Sequence, residues 1–220
     1  MSKLGLNPGI VVYSSLIDGF MREGNIDDAF RVRDEMVAFG VQPNIITYNN
    51  LIRGVCNMGR IDKAHELMKE MVGAGWRPDV KTYNLIIEGH FREKDTGGAF
   101  RLLDEMTSQN VLPNLFTYRV IINGLCADGK IEEACKTLDM MTDQKVVPDE
   151  FCYNSLINGL CKAGKMEEAR CYFEQMNDRG LLPNIFTYGG LINGHSKDGE
   201  MSEADRYFQE MLAIGLKQMM

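Results

Sequence analysis

The side chains in this chain that could do chemistry return at a fixed interval. An amide stands directly after a tyrosine at Asn49, Asn84 and Asn154, and Ser14, Arg119 and Gly189 hold the same place elsewhere. A second polar row stands directly after a proline, at Asn44, Asp79, Asn114, Asp149 and Asn184. An amide both donates and accepts hydrogen bonds, whereas a carboxylate only accepts. That is the chemistry of recognition, not of bond making. No nucleophile–base set, metal-ligand cluster or glycine-rich phosphate loop stands out, so the chain is read as a non-enzyme with no metal and no cofactor.

The second row has a plainer use. Asn and Asp are preferred helix N-caps, so a residue after a proline and before a helix could simply hold the first turn. The first row could be surface residues in that turn. Against this, Asn is a middling helix former, and its return after the tyrosine needs a reason.

The interval is 35 residues. It carries Pro8, Pro43, Pro78, Pro113, Pro148 and Pro183, and a tyrosine five residues after each, from Tyr13 to Tyr188. It also carries Gly19 to Gly194 and Ala29 to Ala204 in the same phase. A repeat of this length implies a solenoid, in which each unit buries its apolar face against its neighbours. Within one unit, Tyr48, Leu51, Ile52 and Val55 are spaced as one face of a helix. Gly59 marks a turn, and Ile61, Ala64, Leu67, Met68 and Met71 form the face of a second helix that Gly75 closes. The expected fold is all-α, a right-handed superhelical solenoid of 35-residue antiparallel helix-turn-helix repeats. The expected divisions are 1–9 as the tail of a preceding repeat, then 10–44, 45–79, 80–114, 115–149, 150–184 and 185–220. The last is truncated at its end.

Charge and cysteine usage narrow the class. No run of about 18 apolar residues offers a membrane span. The six cysteines include no C-x-x-C pair, so free and mostly buried thiols are expected. His90 and His195 share a phase with Phe20, Val55, Leu125 and Leu160, so both are expected to pack against a neighbouring repeat. The net charge of −7 is the reverse of the usual nucleic-acid signature. Most acids, such as Asp27, Asp28, Glu132, Glu133, Glu167 and Glu168, fall in the second helices and would face outward.

The 35-residue period, the tyrosine with Asn after it, and stretches such as Phe151-Cys152-Tyr153-Asn154-Ser155-Leu156-Ile157-Asn158-Gly159-Leu160-Cys161-Lys162-Ala163-Gly164-Lys165 carry a resemblance. Over essentially its whole length the chain resembles the pentatricopeptide repeat family, in its plain P class. The resemblance implies an organellar protein, in mitochondrion or chloroplast with mitochondrion ahead, that binds single-stranded RNA one base per repeat. It implies that the post-tyrosine and post-proline residues bond each base. The base-binding set is then Ser14, Asn44, Asn49, Asp79, Asn84, Asn114, Arg119, Asp149, Asn154 and Asn184. It implies that the residue two before the tyrosine wedges between bases, here Val11, Ile46, Lys81, Phe116, Phe151 and Phe186. Five of those six are apolar, and base stacking on an aromatic is worth roughly 1–3 kcal/mol. A basic residue late in the first helix would meet phosphate, at Arg22, Arg92, Lys162 and Lys197.

Hydrogen-bond chemistry then suggests a code. The acceptor-only Asp79 suits the N3–H of uracil, and a terminal Asn amide can donate to the ring nitrogen of cytosine or adenine. Ser14 with Asn44 implies A, Asn49 with Asp79 implies U, and both Asn84 with Asn114 and Asn154 with Asn184 imply C or U. Arg119 with Asp149 falls outside the common combinations, and Gly189 offers no polar group. With the N-terminal repeat at the 5′ side, the reading is 5′-A-U-Y-N-Y-3′. The competing class is a protein-interaction helical solenoid. No membrane partner is expected, and uncapped terminal repeats could associate between chains.

Overall fold

The computed structural model of the chain describes residues 8–215. The expected tail at 1–9 lies mostly in residues 1–7, outside the described residues, as does the very end of the last expected repeat. Among the described residues there are twelve α-helices, each of 13 residues, and no strand. They are α1 (Ile10–Arg22), α2 (Ile26–Ala38), α3 (Ile45–Asn57), α4 (Ile61–Gly73), α5 (Val80–Arg92) and α6 (Thr96–Ser108). The second half continues with α7 (Leu115–Ala127), α8 (Ile131–Asp143), α9 (Glu150–Lys162), α10 (Met166–Asp178), α11 (Ile185–Lys197) and α12 (Met201–Ala213). The chain forms two compact units, Met1–Pro113 and Asn114–Met220.

Short connections explain the pairing. Three residues separate α1 from α2, and Gly24 among them has φ +80°, a conformation that costs glycine nothing. So tight a turn sends the second helix back antiparallel to the first. In the first unit α1, α3 and α5 lie side by side, each backed by its own partner α2, α4 or α6. In the second unit α7, α9 and α11 are arranged in the same way against α8, α10 and α12.

The core lies between these layers. Tyr48, Leu51, Ile52 and Met68 are buried as expected, and so is the whole alanine phase. Three of the six cysteines are buried, Cys56, Cys152 and Cys161. Cys126 and Cys135 are half-buried, and Cys171 is exposed. Burial pushes the thiols of Cys56, Cys126 and Cys161 up to about 12. His90 packs on His65 of the preceding pair, as expected. The His195 ring stacks on Tyr207 of its own partner helix, and its Nδ1 lies 2.7 Å from Glu200, as His90 Nδ1 lies 2.9 Å from Asp95. Glu200 stands at the N-cap of α12, so the turn within the pair holds this imidazole.

The repeating glycine marks where successive first helices come closest. A Cβ on Gly54 would lie 2.3–2.7 Å from the side chain of Met21 on α1. Gly89, Gly159 and Gly194 meet Cys56, Cys126 and Cys161 in the same manner, at 3.0–3.1 Å at best between Cβ atoms. Gly19, in the same phase, faces open space. The two sites therefore predict opposite signs for one substitution. Gly19→Ala should stabilise by about 0.5–1 kcal/mol through helix propensity. Gly54→Ala should lose that gain and destabilise by about 1–3 kcal/mol through overpacking. Thermal or urea unfolding of the two variants measures both.

Candidate nucleic-acid interface

The post-proline row does cap helices. Asn44, Asp79, Asn114, Asp149 and Asn184 are the N-caps of α3, α5, α7, α9 and α11. In each case Oδ1 alone accepts from the backbone of the first turn, as with Thr82 N–H to Asp79 Oδ1 at 2.8 Å. The cap needs one terminal atom and leaves the other. Among the described residues, Nδ2 of Asn44, Asn114 and Asn184 and Oδ2 of Asp79 make no hydrogen bond. Capping and ligand recognition are therefore compatible uses of one side chain.

The post-tyrosine row sits just inside this edge. Ser14, Asn49 and Asn84 are buried, while Arg119 and Asn154 are half-buried. A threonine that the sequence reading passed over joins the two rows. Thr82 Oγ1 lies 2.8 Å from Asn49 Oδ1 and 2.9 Å from Asp79 Oδ1. Thr187 bridges Asn154 Oδ1 at 2.5 Å and Asn184 Oδ1 at 3.5 Å, and Thr47 bridges Ser14 Oγ at 2.9 Å and Asn44 Oδ1 at 3.2 Å. Each bridging threonine stands one residue before a tyrosine, so its 35-residue phase was the available signal.

One unit is built differently. Where α3, α5, α7 and α11 have threonine before the tyrosine, α9 has Cys152, and Arg119 forms an ion pair with Asp149 Oδ2. The Arg119 guanidinium also lies over the Phe151 ring at 5.4 Å. Both carboxylate oxygens of Asp149 are thus engaged within the protein. Gly189 on α11 is exposed and has no side chain to offer.

The wedge row is exposed throughout. Val11, Ile46, Phe116, Phe151 and Phe186 range from 46% to 73% exposed, and Lys81 is exposed as well. Clefts open between successive members. Within the second unit, a cleft of about 370 Å³ has Phe151 and Phe186 at its sides, with Asn154, Asn158 and Lys162 in its lining. Within the first, a smaller one of about 200 Å³ lies between Val11 and Ile46 and contains Ser14 and Asn44. Each cleft presents apolar walls with an amide or hydroxyl at its back, the arrangement suited to a flat ring with a polar edge.

The four basic candidates are all exposed ends of first helices. Arg22 is ion-paired with Asp18 at 2.8 Å and Arg92 with Glu88 at 2.7 Å, and Arg92 also donates to Asn57 Oδ1 at 2.7 Å. Lys162 and Lys197 have no ion pair among the described residues. Arg53, which shares the polar row with Asn49, is likewise tied to Asp18 on α1. Asp18, Arg53 and Glu88 share one phase of the repeat. Arg53 with Asp18 is the pair that joins two first helices, whereas Arg22 with Asp18 and Arg92 with Glu88 lie four residues apart on one helix.

The PPR repeat family model matches residues 8–57, 43–92, 78–127, 117–162 and 148–197, and a PPR repeat model matches 186–216. Among curated proteins none matches the chain. The fold is similar to that of the pentatricopeptide repeat protein PPR10 in complex with an 18-nt psaJ RNA element. That match has TM-score 0.64 and 24% identity, covering 100% of this chain and 37% of that one. It is also similar to the PPR domain of Arabidopsis thaliana protein-only RNase P 1 in complex with tRNA. There the TM-score is 0.65 at 19% identity, covering 85% of this chain and 98% of that one. The chain therefore spans well under half the length of the PPR10 chain it resembles.

The split use of the cap residue predicts a specific stability pattern. Asp79→Asn retains Oδ1 and should leave the unfolding midpoint nearly unchanged, since Asn and Asp cap about equally well. Asp79→Ala removes it and should cost about 1 kcal/mol. Chemical denaturation of the two variants distinguishes them.

Proposed function

Because the chain belongs to the pentatricopeptide repeat family, we propose that it is a sequence-specific binder of single-stranded RNA that takes one base per repeat. It acts by occupying a transcript site, and it catalyses nothing itself. The reading is 5′-A-U-Y-N-Y-3′, with the wedge residues stacking between bases and the capping pair meeting each base edge. The observation that carries this is the cleft between Phe151 and Phe186, where two exposed aromatic rings flank an amide and a lysine. Stacking needs such rings, an amide gives the edge a donor, and an ammonium suits the phosphate that follows. The RNA bound in the PPR10 and protein-only RNase P 1 complexes supports the ligand class.

The fourth base is left open by this scheme. Arg119 and Asp149 neutralise each other, so neither presents an unpaired group to discriminate bases. Action on organellar transcripts, in processing, stability or translation, is part of the proposal and follows the family resemblance. Imaging a fluorescent fusion of the full-length parent protein tests the compartment, and sedimentation at several concentrations tests self-association.

The decisive experiment is titration of the protein with a labelled RNA containing 5′-AUCGC-3′ and with single-base variants of it. The cognate RNA should bind best, with any base tolerated at the fourth position and only C or U at the third and fifth. Equal affinity for all variants would sink the coding reading. In the same assay Asp79→Asn replaces the free acceptor Oδ2 with a donor. Preference at the second base should move from U towards C, by on the order of tenfold, by analogy with base contacts in DNA grooves.

Salt dependence gives an independent check. Arg22 and Arg92 already hold acids, which leaves Lys162 and Lys197 to release counterions. At about −0.7 per phosphate on a single strand, log affinity should fall with log salt at a slope near about −1.4. A slope several times steeper means that other cations meet the backbone.

A further inference from the structure

Buried threonines stand behind the paired polar residues, and their number of bonds exceeds what a helix cap needs. Thr82 is fully buried, with 0% exposure. Its backbone N–H already caps to Asp79 Oδ1 at 2.8 Å, which satisfies the turn. Its hydroxyl oxygen completes the capping box, which leaves the hydroxyl proton for a further bond. That hydroxyl accepts from Asp79 N–H at 3.3 Å and shares its one proton between Asn49 Oδ1 and Asp79 Oδ1.

A primary amide has two ends of opposite hydrogen-bonding sense, and rotation about its last bond exchanges them. Holding Oδ1 of Asn49 on the threonine leaves Nδ2 as the group not used within the protein. The neighbouring Asp79 then offers Oδ2. The pair presents a donor beside an acceptor, in a fixed order. Uracil presents a carbonyl beside N3–H and complements that order, whereas cytosine presents an amine and a bare ring nitrogen on the same edge. If the amide were free to turn, its Oδ1 could accept from the cytosine amine, and the penalty against cytosine would shrink.

Resting on the reading of Asn49 and Asp79 as a base-binding pair, we infer that Thr82 is a specificity-determining positioning residue. Its hydroxyl couples the two members of the pair and sets which end of the Asn49 amide faces the ligand. Thr187 does the same for Asn154 with Asn184, and Thr47 couples the Ser14 hydroxyl to Asn44. The natural exception supports this. Cys152 cannot serve as the same strong donor, since a thiol is a weak one. In that unit the place of the amide is taken by an arginine that has closed on its own partner. The relay is lost together with the group it would orient.

The test compares Thr82→Val with Thr82→Ser in the 220-residue chain, using RNAs that differ only at the second base. Valine keeps the volume and the backbone cap but removes the hydroxyl. The ratio of affinities for U over C should fall about three- to tenfold, the worth of one hydrogen bond. Discrimination at the first base should stay as it was, and serine should restore the lost ratio. A folded Thr82→Val that keeps the full U preference overturns the relay while leaving the coding pair standing. A parent protein with no preference at the second base overturns the coding pair itself.

A gain-of-function pair guards against a variant that fails to fold. Arg119→Asn alone frees Asp149 but leaves the amide untethered. Adding Cys152→Thr should raise the preference for U at the fourth base by about three- to tenfold over the single variant. Equal preference in the single and double variants refutes the relay.

Discussion

Helices of 13 residues are marginal on their own in water, so each helix here depends on what it packs against. The contact that matters most is the close approach of one first helix to the next. Gly54, Gly89, Gly159 and Gly194 allow it by having no Cβ where Met21, Cys56, Cys126 or Cys161 would collide with one. The buried tyrosine phase and the 0–3% exposed alanine phase fill the remaining space between the layers. Within each unit this stacking brings consecutive first helices into register, and the surface rows follow from that register. A ladder of exposed wedge residues exists because the helices carrying them lie side by side at a set spacing.

The second economy is at the helix start. An N-cap must supply one acceptor to the orphan N–H groups of the first turn, and Asn and Asp each have two terminal atoms. With Oδ1 held by the backbone, the remaining atom is a donor in Asn and an acceptor in Asp. Local structure is the same for both residues, so their exchange along the array is free to follow the ligand. Asp149 shows what happens when the spare oxygen is claimed. Its ion pair with Arg119 satisfies the site internally.

Charge is distributed to keep this surface usable despite the net −7. Acids cluster in the first turns of second helices, such as Asp27 and Asp28, Glu132 and Glu133, and Glu167 and Glu168, where the helix dipole favours them. Acids on the first helices are answered by arginines of the same or the next first helix. Asp18 holds both Arg22 and Arg53, and Glu88 holds Arg92. These pairs engage Arg22 and Arg92, two of the four proposed phosphate contacts. Exposed ion pairs of this kind contribute little to stability, so their effect is on the local field.

Much of the architecture was legible by itself in the residues, because periodicity is a property of the chain. The 35-residue spacing of proline, tyrosine, glycine and alanine determines the helix pairs, their turns and their buried faces. It also shows which positions vary, and so where a polar or aromatic row can lie. What the sequence left undecided was how the polar residues meet. Asn44 could be read as a cap or as a contact, and only the folded first turn shows Oδ1 used and Nδ2 spare. Thr82 looked like one more residue before a tyrosine. It becomes a junction only when α5 packs on α3 and brings Asn49, 33 residues earlier, to 2.8 Å. The stacking of His195 on Tyr207 was undecided for the same reason, since a phase names a helix face but not the partner across it. Short-range patterning specifies each element, whereas a hydrogen bond between distant residues exists only once packing has set the distance.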